Sequence, residues 1–352
     1  MPRGSPGPDD TPVWFAHSDP KETSQRPMDR IAFVFPGQGS QSVGMGRLLA
    51  AASPAAAAVL AQADEALGES ISRLAFDGPA EQLDLTANSQ PALVAVSVAF
   101  LAALREGWAA AGATAPTPAY VAGHSMGQYS AMVAAGVISL ADAVRLVRER
   151  GRQMQASGQG RSGAMAAVIG LDNARLDDLL ALGTPFGSLT VANRNAPGQV
   201  VISGDRTAVE AAAAGAKDLG ARLVKVLPVS VAAHSSLMAE AAMGMARVLE
   251  PIAFSDPQIP MLANYDARPI ANASAARVEL IEHLTRGVDW VSAVERMSAG
   301  GVTTFIEVGP GKVLTSLIKR IAPTATAIAL DDASAPGGIA IPFIESNSPA
   351  AP

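Results

Sequence analysis

Short apolar runs that end in glycine alternate with long alanine-rich stretches along this chain. Residues 31–35 are uniformly apolar and stop at Pro36-Gly37, the mark of a buried strand. Residues 46–67 and 90–111 read as alanine-rich helices, and residues 119–122 as a short strand running into Gly123. Residues 130–135 and 140–155 are helical in pattern, with Ser139 placed to cap the second. Strands and helices alternating at this pitch predict an α/β fold with a parallel sheet.

The rhythm changes after Ser157. Residues 158–163 carry Gly158, Gly160 and Gly163 and read as a linker. A strand at 164–169, a helix at 174–182 and a strand at 189–192 follow, then a turn at 193–198. A strand at 200–203, a helix at 207–219 and a strand at 222–227 complete the run. This βαββαβ order is the ferredoxin-like unit. The expected organisation is a body of residues 30–157 and 229–330 with a subdomain, 158–228, inserted in it. Residues 1–29 hold Pro2, Pro6, Pro8, Pro12, Pro20 and Pro27 without apolar periodicity and read as a disordered leader. Met28, just ahead of the first strand, is an alternative start. Residues 331–352 are rich in Pro, Ala, Ser and Gly and read as a loose tail, with 339–344 able to lie against the body.

Composition narrows the chemistry. With 352 residues, 49% hydrophobic and 16% charged, the chain can bury a sizeable core, and wholesale disorder is excluded. It has no cysteine, which excludes disulfides, thiolate-ligated metals and a thiol nucleophile. Its only histidines are His17, His124, His234 and His283, so no metal centre is expected. A net charge of −6 argues against nucleic-acid binding. An anionic partner would have to meet local basic groups, for which Arg148, Arg152, Lys225, Lys319 and Arg320 are candidates. The longest apolar stretch, 91–104, is interrupted by Ser97 and ends at Arg105, short of the roughly 18 residues of a membrane span. No signal-peptide core is present. The expectation is a soluble cytoplasmic monomer that binds neither membrane nor nucleic acid.

The sharpest local motif is Gly123-His124-Ser125-Met126-Gly127. It follows an apolar strand and precedes a helix, the setting of a nucleophile elbow. The serine hydroxyl then stands at a helix N-terminus, where free N–H groups stabilise negative charge. The bland alternative is a tight strand–helix turn with a buried serine. A serine nucleophile needs a base. His17 lies in the leader, and His124, beside Ser125 on the elbow, points away from it, which leaves His234 and His283. His234 sits in a loop after the last subdomain strand, where the chain re-enters the body. His283 falls in a helical stretch, where partial exposure is the ordinary reading.

Two further segments join these. Phe35-Pro36-Gly37-Gln38-Gly39-Ser40-Gln41 follows the first strand. It is neither a dinucleotide fingerprint nor a P-loop. At the carboxyl end of a sheet strand it could present a backbone N–H to an oxyanion. Arg148-Glu149-Arg150-Gly151-Arg152 ends a helix. Solvated charges at a helix C-terminus suit Arg148 and Arg152. One arginine reaching the serine pocket would instead bind a carboxylate through paired N–H bonds, and spacing alone does not say which.

Taken in order, these segments resemble the malonyl-CoA:acyl-carrier-protein transacylases and the acyltransferase domains of fatty-acid and polyketide synthases. The resemblance spans residues 29–323. It rests on 35–41, Gln90-Pro91-Ala92-Leu93, 123–131, Arg150-Gly151, 230–238 and 307–314. It implies an α/β-hydrolase-like body carrying a ferredoxin-like subdomain. It implies Ser125 as the acylated nucleophile and His234 as its base. The backbone N–H groups of Gln38 and Met126 would form the oxyanion hole, and Arg150 would bind the malonyl carboxylate. A main-chain carbonyl at His283 would orient His234. Three positions depart from the family pattern: His283 replaces a common Gln, Ala233 a frequent Phe, and Gln128 the usual Glu.

The implied reaction is a ping-pong transfer of malonyl from malonyl-CoA to the phosphopantetheine thiol of acyl carrier protein, supplying fatty-acid synthesis. It needs no cofactor, the CoA thioester being a substrate. The alternatives are a trans-acting polyketide acyltransferase, a hydrolase that clears acyl groups from carriers, and an inactive docking module. Intact Ser125, His234 and loop glycines argue against the last.

Overall fold

The computed structural model describes residues 30–331 apart from 159–161, 228 and 230. The expected leader, the tail from 332 onward with its 339–344 segment, and the centre of the 158–163 linker lie outside the described residues. The first half of the chain runs β1 (Arg30–Phe35), α1 (Arg47–Ala52), α2 (Pro54–Leu67), α3 (Ile71–Asp77), α4 (Ala80–Leu83), α5 (Thr86–Ala110), β2 (Tyr120–Gly123), α6 (Gly127–Ala134) and α7 (Leu140–Ser157). There follow β3 (Gly163–Ile169), α8 (Leu176–Gly183), β4 (Leu189–Ala196), β5 (Gln199–Asp205), α9 (Arg206–Gly215) and β6 (Leu223–Val226). The chain then forms α10 (Ala239–Leu249), α11 (Ala273–Glu282), β7 (Val288–Asp289), α12 (Trp290–Ala299), β8 (Val302–Glu307), α13 (Val313–Ile321) and β9 (Thr326–Ala329).

β1, β2, β8 and β9 form a parallel sheet in the order β2-β1-β8-β9. β1 is apolar from Ile31 onward because both its faces are covered there. Ile31, Phe33 and Phe35 enter a core with α5, α6 and α7, while Ala32 and Val34 enter a second core with α12 and α13. The second sheet has the order β6-β3-β5-β4-β7. Its β3, β5, β4 and β6 pair antiparallel, as a βαββαβ unit requires. α8 and α9 cover one face through Leu176, Leu179, Val209 and Ala212 against Ala164, Ala166, Val168, Val200 and Ile202. β7 adds a fifth strand, parallel to β4, contributed from outside residues 158–228. The architecture is an α/β body with a parallel sheet and an inserted ferredoxin-like layer.

Four local expectations change. The 46–67 helix is broken at Ser53-Pro54, where Pro54 has no N–H to continue α1 and opens α2 instead. Ser53 Oγ accepts from Ala56 N at 3.0 Å and caps α2. The 193–198 turn is mostly strand: β4 runs to Ala196, with two register shifts against β5, and the reversal is confined to Pro197-Gly198. Arg148 is only 7% exposed and pairs with Glu69 and Asn88 rather than with solvent. His283, at the C-terminus of α11, is 1% exposed.

α5 is longer than its apolar stretch implied. By length and composition it could cross a membrane, yet most of it is buried inside this fold, packed on α2 and α7. Replacing Ser53 with Ala should destabilise the protein by about 1 kcal/mol through loss of the α2 cap, read as a lower urea midpoint. An unchanged midpoint would show that Pro54 alone sets the break.

Candidate active site

The loops after β1 and β2 meet at the carboxyl end of the parallel sheet. Their approach is closer than any side chain allows. A Cβ on Gly123 would stand 2.0 Å from the Gly127 carbonyl carbon, and one on Gly127 would stand 2.2 Å from Phe35 O. The two glycines of the elbow are thus required by contact between backbones. Between them Ser125 takes the left-handed conformation, with φ of 52°. A non-glycine residue there is strained and persists only where its surroundings hold it.

Ser125 Oγ lies 2.8 Å from His234 Nε2. His234 is itself left-handed, with φ of 60°, and is 4% exposed. Its Nδ1 lies 2.6 Å from His283 O and 3.0 Å from Arg286 O. Two carbonyl acceptors put the proton on Nδ1 and leave Nε2 as the acceptor facing the serine. The bonds come from main chain; both ring nitrogens of His283 are buried without a hydrogen-bond partner among the described residues.

Arg150, 1% exposed, reaches the same serine. One guanidinium nitrogen donates to Gln90 Oε1 at 2.9 Å, and the other lies 3.3 Å from Ser125 Oγ. Its Nε has no partner among the described residues. Burial lowers its pKa, opposed only by Tyr129, and no carboxylate of the described residues balances it. Arg148 and Arg152 face a different hollow beside Glu69 and Gly68.

Burial lowers the His234 pKa to about 4, with the Arg150 charge as the next cause and the two carbonyl bonds opposing. Burial also lowers His124, whose Nε2 meets Asn195 Oδ1 at 2.9 Å and whose ring packs edge-on against Trp290. Both imidazoles are neutral at pH 7.

A cavity of about 480 Å³ opens over these groups. Gln38, His124, Asn193, Asn195 and Arg150 supply its polar wall. Met154, Met165, Val201, Leu227, Val229, Val231 and Ala233 supply an apolar one. The backbone N–H groups of Gln38 and Met126 have no partner among the described residues, as an oxyanion site requires. Gly39 N bonds Gln41 Oε1 at 2.7 Å and Gln38 Nε2 bonds Thr86 Oγ1 at 3.2 Å, which hold the first loop in place.

The fold therefore gathers Ser125, His234, Arg150, Gln38 and Met126, with the His283 carbonyl behind them. None of the five candidate basic groups, Arg148, Arg152, Lys225, Lys319 and Arg320, lines the cavity. Sequence reasoning missed Asn264, whose Oδ1 accepts from Ser125 N at 2.8 Å, and Glu279, whose Oε1 accepts from Asn264 N at 2.7 Å. The one signal for Asn264 was a polar residue closing the apolar run Met261-Leu262-Ala263. The Asn-Pro-Gly composition of 193–198 reads as a turn and hides Asn193 and Asn195, and Gln90 carries no signal beyond its family segment.

The site thus combines a serine on a strand–helix elbow, a neutral imidazole from a distant loop in hydrogen-bond contact with it, two N–H groups without a partner among the described residues, and a buried cation. The chain belongs to the acyl transferase domain family, whose model matches residues 32–330. It is 47% identical over 308 residues to malonyl CoA-acyl carrier protein transacylase of Escherichia coli K12, covering 88% of this chain and 98% of that protein. Among solved structures it is similar to an acyl carrier protein S-malonyltransferase from Vibrio cholerae, with TM-score 0.81 and 42% identity over 86% of this chain and 97% of that one. It is equally similar, with TM-score 0.81 and 42% identity over 86% and 96% of the two chains, to a malonyl-transacylase in complex with a type II polyketide-synthase acyl carrier protein.

The His234 pKa makes a prediction. Fluorophosphonate labelling of Ser125 should hold its plateau from pH 7 to pH 5 and fall only as His234 protonates near pH 4. Arg150→Ala removes a charge that lowers this pKa, so the acid limb should move to higher pH. A limb already at the ordinary imidazole range in the wild type would refute the buried neutral base.

Proposed function

We propose that this chain transfers malonyl from malonyl-CoA to the phosphopantetheine thiol of an acyl carrier protein, as its relatives' names describe. The observation that carries the reading is Arg150. A fully buried guanidinium without a carboxylate partner is costly to maintain unless an anion completes it. It stands 3.3 Å from the serine hydroxyl, so the anion belongs to the acyl group that the serine attacks. A malonyl group carries such a carboxylate; an acetyl group does not.

In this mechanism Ser125 Oγ attacks the thioester carbonyl while His234 Nε2 takes its proton. The carbonyl π pair moves to oxygen, and the Gln38 and Met126 N–H groups hold the oxyanion. As the carbonyl re-forms, the C–S bond breaks, and the leaving thiolate takes the proton from His234. Malonyl is left as an ester on Ser125. The carrier thiol then repeats the steps in reverse, giving its proton to His234 and returning the serine hydroxyl. The His283 and Arg286 carbonyls keep Nδ1–H in place throughout. A low basicity suffices, because thioester and oxyester are close in energy and no charged leaving group has to depart unaided. The reading invokes no metal or organic cofactor. It assigns the protein to fatty-acid synthesis, as a monomer, in the cytoplasm with its CoA and carrier substrates.

The same dyad could pass the acyl group to water. Arg150 favours transfer, since a hydrolase of uncharged acyl chains gains nothing from a buried cation.

Incubation with malonyl-CoA alone should give protein heavier by one malonyl group, and Ser125→Ala should give none. Steady release of malonate and CoA without an adduct would establish the hydrolase instead. Arg150→Ala should lower the preference for malonyl-CoA over acetyl-CoA by at least about tenfold, the worth of a charge-assisted hydrogen bond. An unchanged ratio would remove Arg150 from substrate selection.

A further inference from the structure

Beyond the residues of that mechanism, we propose that Asn264 is a positioning residue for acyl transfer: its carboxamide oxygen holds the Ser125 N–H, fixing the serine in its left-handed turn. The inference rests on the acyl-transfer reading. Ser125 Oγ can meet His234 only while the backbone keeps a φ of 52°, a region that side-chain-bearing residues leave when released. Within the elbow, Gly127 N donates to His124 O at 2.9 Å and Gln128 N to Ser125 O at 3.0 Å, which close the turn but leave the serine's own N–H unheld.

The restraint comes from the segment after the buried apolar run at 261–263. Asn264 is 4% exposed and is fixed at three atoms. Its N donates to Glu279 Oε1 at 2.7 Å, its O accepts from Asp289 N at 2.7 Å, and its Oδ1 accepts from Ser125 N at 2.8 Å. Gln128 ties the flanks of the elbow to the same segment. Its Oε1 accepts from Gly123 N at 3.0 Å and its Nε2 donates to Leu262 O at 2.8 Å. The nucleophile's turn is thus stapled on both sides to residues 262–264, with Asn264 itself held by Glu279 of α11 and Asp289 of β7.

The staple has a second consequence. With Ser125 N–H engaged by Asn264, the elbow offers the oxyanion only the next amide, that of Met126. Asn264 thereby directs the oxyanion to one side of the serine, where the Gln38 amide completes the pair.

The test compares Asn264→Leu and Asn264→Asp in the full chain. Both keep the side-chain volume, and only Asp keeps an acceptor at the Oδ1 position. Two readouts are taken: the fluorophosphonate labelling rate of Ser125, and kcat and KM for malonyl-CoA. Asn264→Leu should lose about 100-fold in labelling rate and kcat, the scale of an ångström-sized misplacement of a reacting group. Its KM for malonyl-CoA should stay within about twofold, because the Arg150 site is untouched. Asn264→Asp should recover most of the loss. Equal rates in both variants and the wild type, or equal losses in both variants, would overturn the assignment. Wild-type protein that takes neither the label nor a malonyl group would overturn the acyl-transfer reading itself, which a labelled wild type with unaffected variants would not. Should the variants fail to fold, amide exchange in the wild type is the readout. The Ser125 amide should be protected and the Met126 amide open; a Ser125 amide that exchanges as fast as that of Met126 would overturn the proposal.

Discussion

The contact between the β2–α6 turn and the end of β1 is the constraint on which the rest of the site depends. Gly127 sits so close to Phe35 O that no side chain fits between them, and Gly37 is as tightly placed, with room for no Cβ beside His124 O. Two adjacent parallel strands thus end in loops pressed together backbone to backbone. Parallel pairing of β1 with β2, in register from Ala32 and Tyr120 to Phe35 and Gly123, delivers both loops to the same level. That level is where the free amides of Gln38 and Met126 stand. An oxyanion site made of two loops is only as rigid as the contact between them, and here the contact is steric as well as hydrogen-bonded: His124 N donates to Phe35 O at 3.0 Å. Preorganised donors of this kind need no rearrangement as charge develops.

Electrostatics couples selection to chemistry in this site. Arg150 is held beside Ser125 without a counter-charge among the described residues, and its field is one reason the His234 pKa lies so low. In the proposed mechanism a bound malonyl carboxylate neutralises that field. The imidazole then becomes a better base at the moment the correct substrate arrives, and stays a weak one when the site is empty or holds an uncharged acyl group. The same cation therefore acts twice, as a ligand for the carboxylate and as a restraint on the base. Gln90 makes this possible by fixing one guanidinium nitrogen without cancelling the charge, which a carboxylate in its place would do.

What the sequence made legible follows from how local each feature is. The elbow, the β1 loop and the βαββαβ order are set by contiguous residues, so their pattern carried them. The break at Ser53-Pro54 was also local, but the alanine-rich periodicity on both sides hid it. Asn193 and Asn195 were misread because Asn, Pro and Gly together resemble a turn, whereas pairing with β5 on one side and β7 on the other keeps them in a strand. Burial of Arg148 and His283 was not legible, because it depends on Glu69 and Asn88 for the first and on Tyr129 and His234 for the second, all distant in sequence. Asn264 and Glu279 lie furthest from any motif. They act through main-chain atoms of their partners, and such bonds leave no pairing pattern in the side chains they serve.

The three departures from the family pattern differ in their physical meaning. At His283 the interaction with His234 is made by the carbonyl, so the side chain is free to vary provided the turn after α11 is kept. Its imidazole is buried and neutral, its pKa well below the ordinary value through desolvation and the nearby Arg150 charge, so it adds no charge to the dyad. At Ala233 the change faces the cavity and widens it on the apolar side. At Gln128 the change bears on the elbow itself. That side chain accepts from Gly123 N and donates to Leu262 O at once. A carboxamide does both at any pH, whereas a carboxyl group does both only while protonated. The substitution thus keeps both bonds without a buried proton, and it does so at the residue that ties the serine's turn to the segment bearing Asn264.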